Sequence, residues 1–190
     1  MASRPRTTRE RTYRTMYVAD VGGVPGNDHV VFNHPNGLCV VCLSERHPLC
    51  ATAADDASAC VSVDWSCGKD ARRGGRADAS ASGGAKPLDP CAGVRGKKKR
   101  GAKLLMPDSG LATLERADGK RWTARALARG KLLEVNERLR DEPKLVSAAP
   151  TDAGFLAVIE PGAEALAELE ARAMTPEAYE RLRGDERLSG

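Results

Sequence analysis

The stretch LATLERADGKRWTARAL, Leu111 to Leu127, constrains the fold of this chain more than any other. It sets two alternating apolar and polar segments on either side of Asp118-Gly119. An Asp-Gly pair in that setting predicts a two-residue type I′ hairpin, because both residues tolerate positive φ. Lys120 stands just past the tip. Short, β-branched strands are expected over Val30–Phe32, Leu38–Leu43 and Val61–Trp65. The first two are joined by NHPNG, whose Pro35, Asn36 and Gly37 suit a tight turn, and so form a second hairpin. Further strands are expected at Lys103–Met106, Lys131–Val135 and Phe155–Ile159, with a turn or short helix over NERLRDEP that Pro143 stops.

The end of the chain reads differently. GAEALAELEARAM is rich in Ala, Leu and Glu, and TPEAYERLR places Thr175 at an N-cap and Pro176 at the first helical position. Leu166, Leu169 and Met174 should share one face of the first helix, and Tyr179 and Leu182 one face of the second. The expected class is mainly β with C-terminal helices.

A chain of 190 residues fits one domain with appendages. Residues 1–12 read as a basic arm, 13–183 as a single domain and 184–190 as a tail. Residues 67–93 have almost no large apolar side chain, cannot offset their ordering entropy by burial, and read as a flexible insert. The strands after the insert are too few to build a core without those before it. Because aromatics are only 4% of the chain, the core must be mostly Val, Leu and Ala.

The net charge of +4 hides an asymmetry: residues 160–190 hold eight acidic and four basic side chains, leaving +8 on residues 1–159. Basic residues gather at Arg4, Arg6, Arg9, Arg11 and Arg14, around Arg72, Arg73 and Arg76, and at Lys97, Lys98, Lys99 and Arg100. Such clusters favour an acidic partner. No apolar run approaches the roughly 20 residues of a membrane span, and no apolar stretch follows the start, so a soluble intracellular protein is expected.

Cys39 and Cys42 form a C-x-x-C with His29, His34 and His47 nearby. Flanked by Val40, Val41 and Leu43, however, the pair reads as strand, where positions three apart face opposite ways, so buried free thiols are expected in place of a zinc site. No G-x-S-x-G, Walker A, H-E-x-x-H or G-x-G-x-x-G occurs, and the Glu45/His47 pair is an ordinary coincidence of spacing; no enzyme is expected.

From Gly130 onward a resemblance enters. GKLLEVNERLRDEPKLVSAAPTDAGFLAVIEP followed by MTPEAYERLR resembles the C-terminal half of the glycine cleavage system H protein over about 55 residues. Gly130, Glu134, Val135, Asn136, Pro143, Leu145, Val146, Gly154, Phe155, Leu156, Glu177, Ala178 and Tyr179 carry it. The resemblance implies a barrel-sandwich hybrid of the lipoyl-domain type, in which a lysine at a hairpin tip carries the lipoyl arm. Counting back from Gly130 puts that position at Gly119, and counting forward from Leu114-Glu115 puts it at Asp118. Neither can form the amide. Lys120 is one or two residues out of register, and a one-residue shift turns a strand side chain to the other face. The expectation is a carrier fold without its cofactor, the alternative being a carrier lipoylated at Lys120.

A second resemblance spans about Tyr13 to Pro161. HVVFNHPNGLCVVCLSERHPL, GKKKRGAKLL and RGKLLEVNERLRDEPKLV are similar to the Abitram family, also called Simiate, the actin-binding transcription modulators. It implies a non-enzymatic protein that binds monomeric and filamentous actin, influences filament assembly, and occurs in the nucleus, notably in speckles, and in the cytoplasm. The candidate contact residues are Arg95, Lys97, Lys98, Lys99, Arg100 and Lys103, six cations between Val94 and Lys103 with no acid among them. An acidic filament surface would attract such a run at long range. Nucleic-acid binding is the weaker alternative, since neither Trp65 nor Trp122 lies in a basic cluster where bases could stack; a scaffold role in a nuclear or ciliary assembly is another.

Overall fold

A computed structural model of the chain describes residues 11–50, 59–65 and 102–188. Among these residues nine strands form two antiparallel sheets. The larger has the order β1-β2-β3-β9-β8-β5, built from β1 (Arg14–Val18), β2 (His29–Asn33), β3 (Cys39–Leu43), β5 (Leu104–Leu105), β8 (Gly130–Val135) and β9 (Ala157–Pro161). The smaller has the order β4-β6-β7, from β4 (Cys60–Asp64), β6 (Gly110–Arg116) and β7 (Arg121–Arg125). Each sheet mixes strands from before and after residues 67–93: β3 pairs with β9, and β4 with β6. The described residues also include the helices α1 (Leu145–Ala148), α2 (Ala163–Arg172) and α3 (Pro176–Leu188).

Successive side chains of a strand point to opposite faces, and this sorts them between two clusters. In β3, Cys39, Val41 and Leu43 join the main core, while Cys42 faces the other way into a small cluster with Val30 and Phe32. In β7, Trp122 and Ala124 are buried between partly exposed neighbours. Leu114, Leu132, Leu156, Ile159 and the α2 residue Leu169 belong to one buried cluster, each burial stabilising by about 1.5–3 kcal/mol before entropy is set against it.

Several expectations need correction. The Asp118-Gly119 turn is not a two-residue type I′ loop. Glu115 faces Arg121, the Gly119 N–H donates to the Arg116 carbonyl at 2.9 Å, and the Arg116 N–H donates to the Lys120 carbonyl at 2.9 Å. Gly119 has φ +82° and Asp118 is not among the positive-φ residues, which makes a three-residue loop, Ala117–Gly119, with the glycine in the left-handed position. Met174 lies beyond α2 and bridges to Tyr17, capping part of the β1 edge. Leu182 is 38% exposed, whereas Tyr179 is buried. β1 and α1 were not anticipated; RTMYV follows an arginine-rich stretch, and Pro143 masks the helix that starts two residues later.

The residues shared with the H protein pattern are explained by backbone approach. A Cβ on Gly154 would lie 2.1 Å from the Leu145 carbonyl oxygen, and one on Gly130 would lie 2.6 Å from that of Glu160. Asn136, buried where β8 ends, donates from Nδ2 to the carbonyls of Ala153 at 2.7 Å and Phe155 at 2.9 Å, tying that end to the chain leading into β9.

Candidate functional site

In a lipoyl carrier the chemistry sits at a hairpin tip, and the β6–β7 tip is the corresponding place here. Asp118 pairs with Arg116 and accepts the Lys120 N–H at 3.0 Å. The Arg116 guanidinium, helped by that N–H, holds the Asp118 carboxyl down at about 2. Lys120 opposes Arg116 across the ladder and lies two residues before buried Trp122, hence on the same face of the sheet. Its ammonium rests 5.0 Å from the Trp122 ring centroid. That contact is worth only about 0.5–1 kcal/mol at an exposed site, so position decides the matter. The tip residues Ala117, Asp118 and Gly119 cannot form a lysyl amide, and Lys120, exposed just before β7, lays its side chain over the Trp122 ring.

Of the basic run, Arg95, Lys97, Lys98, Lys99 and Arg100 lie outside the described residues. Lys103 is exposed immediately before β5, and its carbonyl accepts the Leu132 N–H at 2.8 Å. Next to it Leu104 and Met106 are 57% and 48% exposed. Leu104, Arg129, Lys131, Glu160, Glu164 and Glu168 line a cleft of about 410 Å³, where Lys131 Nζ pairs with Glu160 Oε2 at 3.2 Å.

A buried polar network at the other side of the large sheet escaped the sequence reading. Asp28, 1% exposed, accepts Arg183 Nη2 at 2.6 Å and Nε at 2.8 Å, the Tyr179 hydroxyl at 2.6 Å and the Asp20 N–H at 2.9 Å. Burial by itself would raise the Asp28 carboxyl; the hydrogen bonds from Arg183, Tyr179 and Asp20 outweigh it and lower it. Ser44 Oγ lies 2.8 Å from the Tyr179 oxygen, and the Tyr179 ring stacks on Tyr17 at 4.3 Å. Burial, then the Asp28 hydrogen bond, pushes the Tyr179 phenol up. Together these contacts lock α3 onto the body. The available signal was the polar Asn27-Asp28-His29 run directly before an apolar strand, and Arg183 one helical turn after Tyr179.

Asn27 organises two buried histidines. His29 Nδ1 lies 3.2 Å from the Asn27 carbonyl, which can only accept, so Nδ1 carries the proton and Nε2 accepts the Arg125 N–H at 3.4 Å. His47 Nδ1 accepts the Leu49 N–H at 3.1 Å, leaving Nε2–H to donate to Asn27 Oδ1 at 3.2 Å. Desolvation lowers His29 to about 4 and His47 to about 3. Glu45 is exposed and accepts from Thr151, so it forms no acid/base pair with His47. The described cysteines Cys39, Cys42, Cys50 and Cys60 are buried, and burial pushes the Cys39 and Cys50 thiols up to about 12 and the Cys60 thiol to about 11.

Residues far apart in sequence also meet on the outer face of the large sheet. Tyr13 packs edge-on against Phe32 and His34, and Tyr13, Phe32, Val40 and Phe155 line a cleft of about 290 Å³. Sequence distance hid this aromatic surface.

Comparison with known proteins agrees with this architecture. A family model described as the glycine cleavage H-protein matches residues 97–186. Protein Abitram of Gallus gallus is 30% identical over 172 residues, covering 90% of this chain and 88% of that protein. Protein Abitram of Homo sapiens is 27% identical over 173 residues, 91% of this chain and 84% of that one. Among solved structures, a glycine cleavage system H protein from Mycobacterium marinum superposes with a TM-score of 0.52 at 16% identity, covering 90% of this chain and 96% of that one. At that identity the likeness concerns the fold.

Proposed function

The chain belongs to the Abitram family, and from that premise we propose that it is a non-enzymatic actin-binding protein that modulates filament assembly from the nucleus and cytoplasm. The observation that carries this reading is the β6–β7 tip. A fold of the lipoyl-carrier kind presents Gly119 at its apex, where a carrier presents its lysine, and Lys120 is paired in the ladder beside it. With glycine at the apex, such a body would act through surface contact. Among the described residues no helix is long and apolar enough to cross a membrane.

The contact residues we assign are Arg95, Lys97, Lys98, Lys99, Arg100 and Lys103. They lead straight into β5, so a partner drawn to the run would meet the exposed Leu104 side chain at the sheet edge. Charge sets the rate of such an encounter more than its final strength, and salt weakens it. The test is pelleting with actin filaments at about 50 mM salt, well below screening of a run this dense. Co-sedimentation is expected, and the variant with Lys97, Lys98, Lys99 and Arg100 replaced by Glu should lose it. Absence of pelleting by the unaltered chain would reject the reading.

A further inference from the structure

On the outer face of the large sheet, Tyr13, Phe32, Val40 and Phe155 line the cleft of about 290 Å³, and Phe155 is also a wall of an adjoining cleft of about 480 Å³. The strand ladder gives this pair of clefts a direction. Phe32 is paired with Val40, Val40 with Val158, and Val158 with Glu134, so these side chains form one row across β2, β3, β9 and β8. At about 4.8 Å per strand the row is about 14 Å long, the length of about four extended residues. A groove of that shape suits a strand-like peptide more than a compact ligand.

Charge narrows the choice of peptide. Asp152 lines the first cleft and Glu134 and Glu137 the second, all three exposed. Glu45 adds a carboxylate behind Thr151. Arg138, the one cation among the residues lining the two clefts, is directed to Glu142 at 3.4 Å. This anionic rim lies within residues 1–159, which together carry +8. Carboxylates so placed repel phosphate groups, which disfavours nucleic acid and anionic lipid as occupants. Beneath the rim, Tyr13 and Phe155 are partly exposed. A guanidinium group satisfies both features, because its planar face lies on a ring while its N–H edge pairs with a carboxylate. We propose that this groove binds an extended, arginine-bearing segment of a partner protein. Side chains two apart in such a segment share a face at about 6.8 Å spacing, so alternate arginines reach Tyr13 and Asp152 in the first cleft and Glu134 and Glu137 in the second. The groove shares no lining residue with the basic run assigned to actin.

The test titrates the full chain into a fluorescent peptide of alternating arginine and glycine, about ten residues long and so longer than the groove, and reads anisotropy at about 50 mM salt. Saturable binding is expected, several-fold weaker for the lysine–glycine peptide and absent for the glutamate–glycine one. Asp152→Asn, Glu134→Gln and Glu137→Gln together should weaken it by about tenfold, three exposed ion pairs at about twofold each. Phe155→Leu, which keeps an apolar side chain and removes the ring, should weaken it by about threefold. No saturable binding, equal affinity for the lysine peptide, or unchanged affinity in the triple variant would overturn the proposal. Because a substitution can disturb the fold, amide NMR on the unaltered chain is the second measurement. Signals that move on titration should centre on Tyr13, Val40, Glu134 and Phe155; movement centred on the acidic helix α2 would overturn the proposal. A chain that sediments as a dimer until the three carboxylates are neutralised would place a second copy in the groove, and would overturn it too. No measurement here contains actin, so failure leaves the actin reading untouched.

Discussion

The segment from Gly130 to Leu156 and the hairpin tip from Ala117 to Lys120 are close in sequence and opposite in constraint. In the first, Gly130 and Gly154 lack room for a Cβ, Asn136 spans two carbonyls, and Leu156 is fully buried. In the second, every residue is exposed and the only backbone demand is the left-handed glycine. The resemblance to carrier proteins is therefore concentrated where the backbone must close, whereas the apex of the tip holds Gly119 in the left-handed position. A sequence pattern of this kind reports on the scaffold and is silent about cargo.

Substitution should expose that contrast. Gly154→Ala drives a methyl into the Leu145 carbonyl, whose chain is fixed by α1, and should cost about 4 kcal/mol or more, read by urea unfolding or by failure to accumulate folded protein. Arg183→Met leaves the buried Asp28 carboxylate without its main partner and should cost about 3 kcal/mol; a loss below about 1 kcal/mol would mean α3 is held by packing alone. Asn136→Ala abandons two carbonyls and should cost about 2 kcal/mol. At the tip, Lys120→Ala should cost under about 1 kcal/mol, the worth of an exposed ring contact. A larger tip effect would erase the distinction between the two regions.

Acid should loosen the polar side of the body. His29 and His47 are neutral when folded, with values near 4 and 3, and take up protons at about 6.5 once unfolded. Protons thus favour the unfolded chain, and stability is lost as pH falls from about 6.5 toward 4 and then 3, by about 1.4 kcal/mol per pH unit for each ring. Asp28, held low, adds its loss only below the usual carboxylate range. Urea midpoints at pH 7, 6 and 5 would check this; midpoints that do not move would contradict the tautomers assigned around Asn27.

Legibility in the sequence followed the range of the interaction. Strands β2, β3 and β4 announce themselves through short β-branched runs and β6 and β7 through the segments flanking Asp118-Gly119, and Thr175 and Pro176 mark the start of α3, with the Ala178 N–H donating to Thr175 Oγ1 at 3.3 Å. The type I′ reading failed because Asp-Gly suits either loop length, and which one forms depends on the ladder register between Glu115 and Arg121. Asp28, Tyr179 and Arg183 were illegible because their partners are over 150 residues apart in sequence. The same holds for Tyr13 and Phe155, neighbours only once β1 and β9 share a sheet.

The most direct test concerns the hairpin tip. Protein isolated from its own cells, digested and mapped by mass spectrometry, should yield the peptide containing Lys120 wholly unmodified. A lipoyl amide on Lys120 in a substantial fraction of chains would contradict the conclusion that this body acts through its surface.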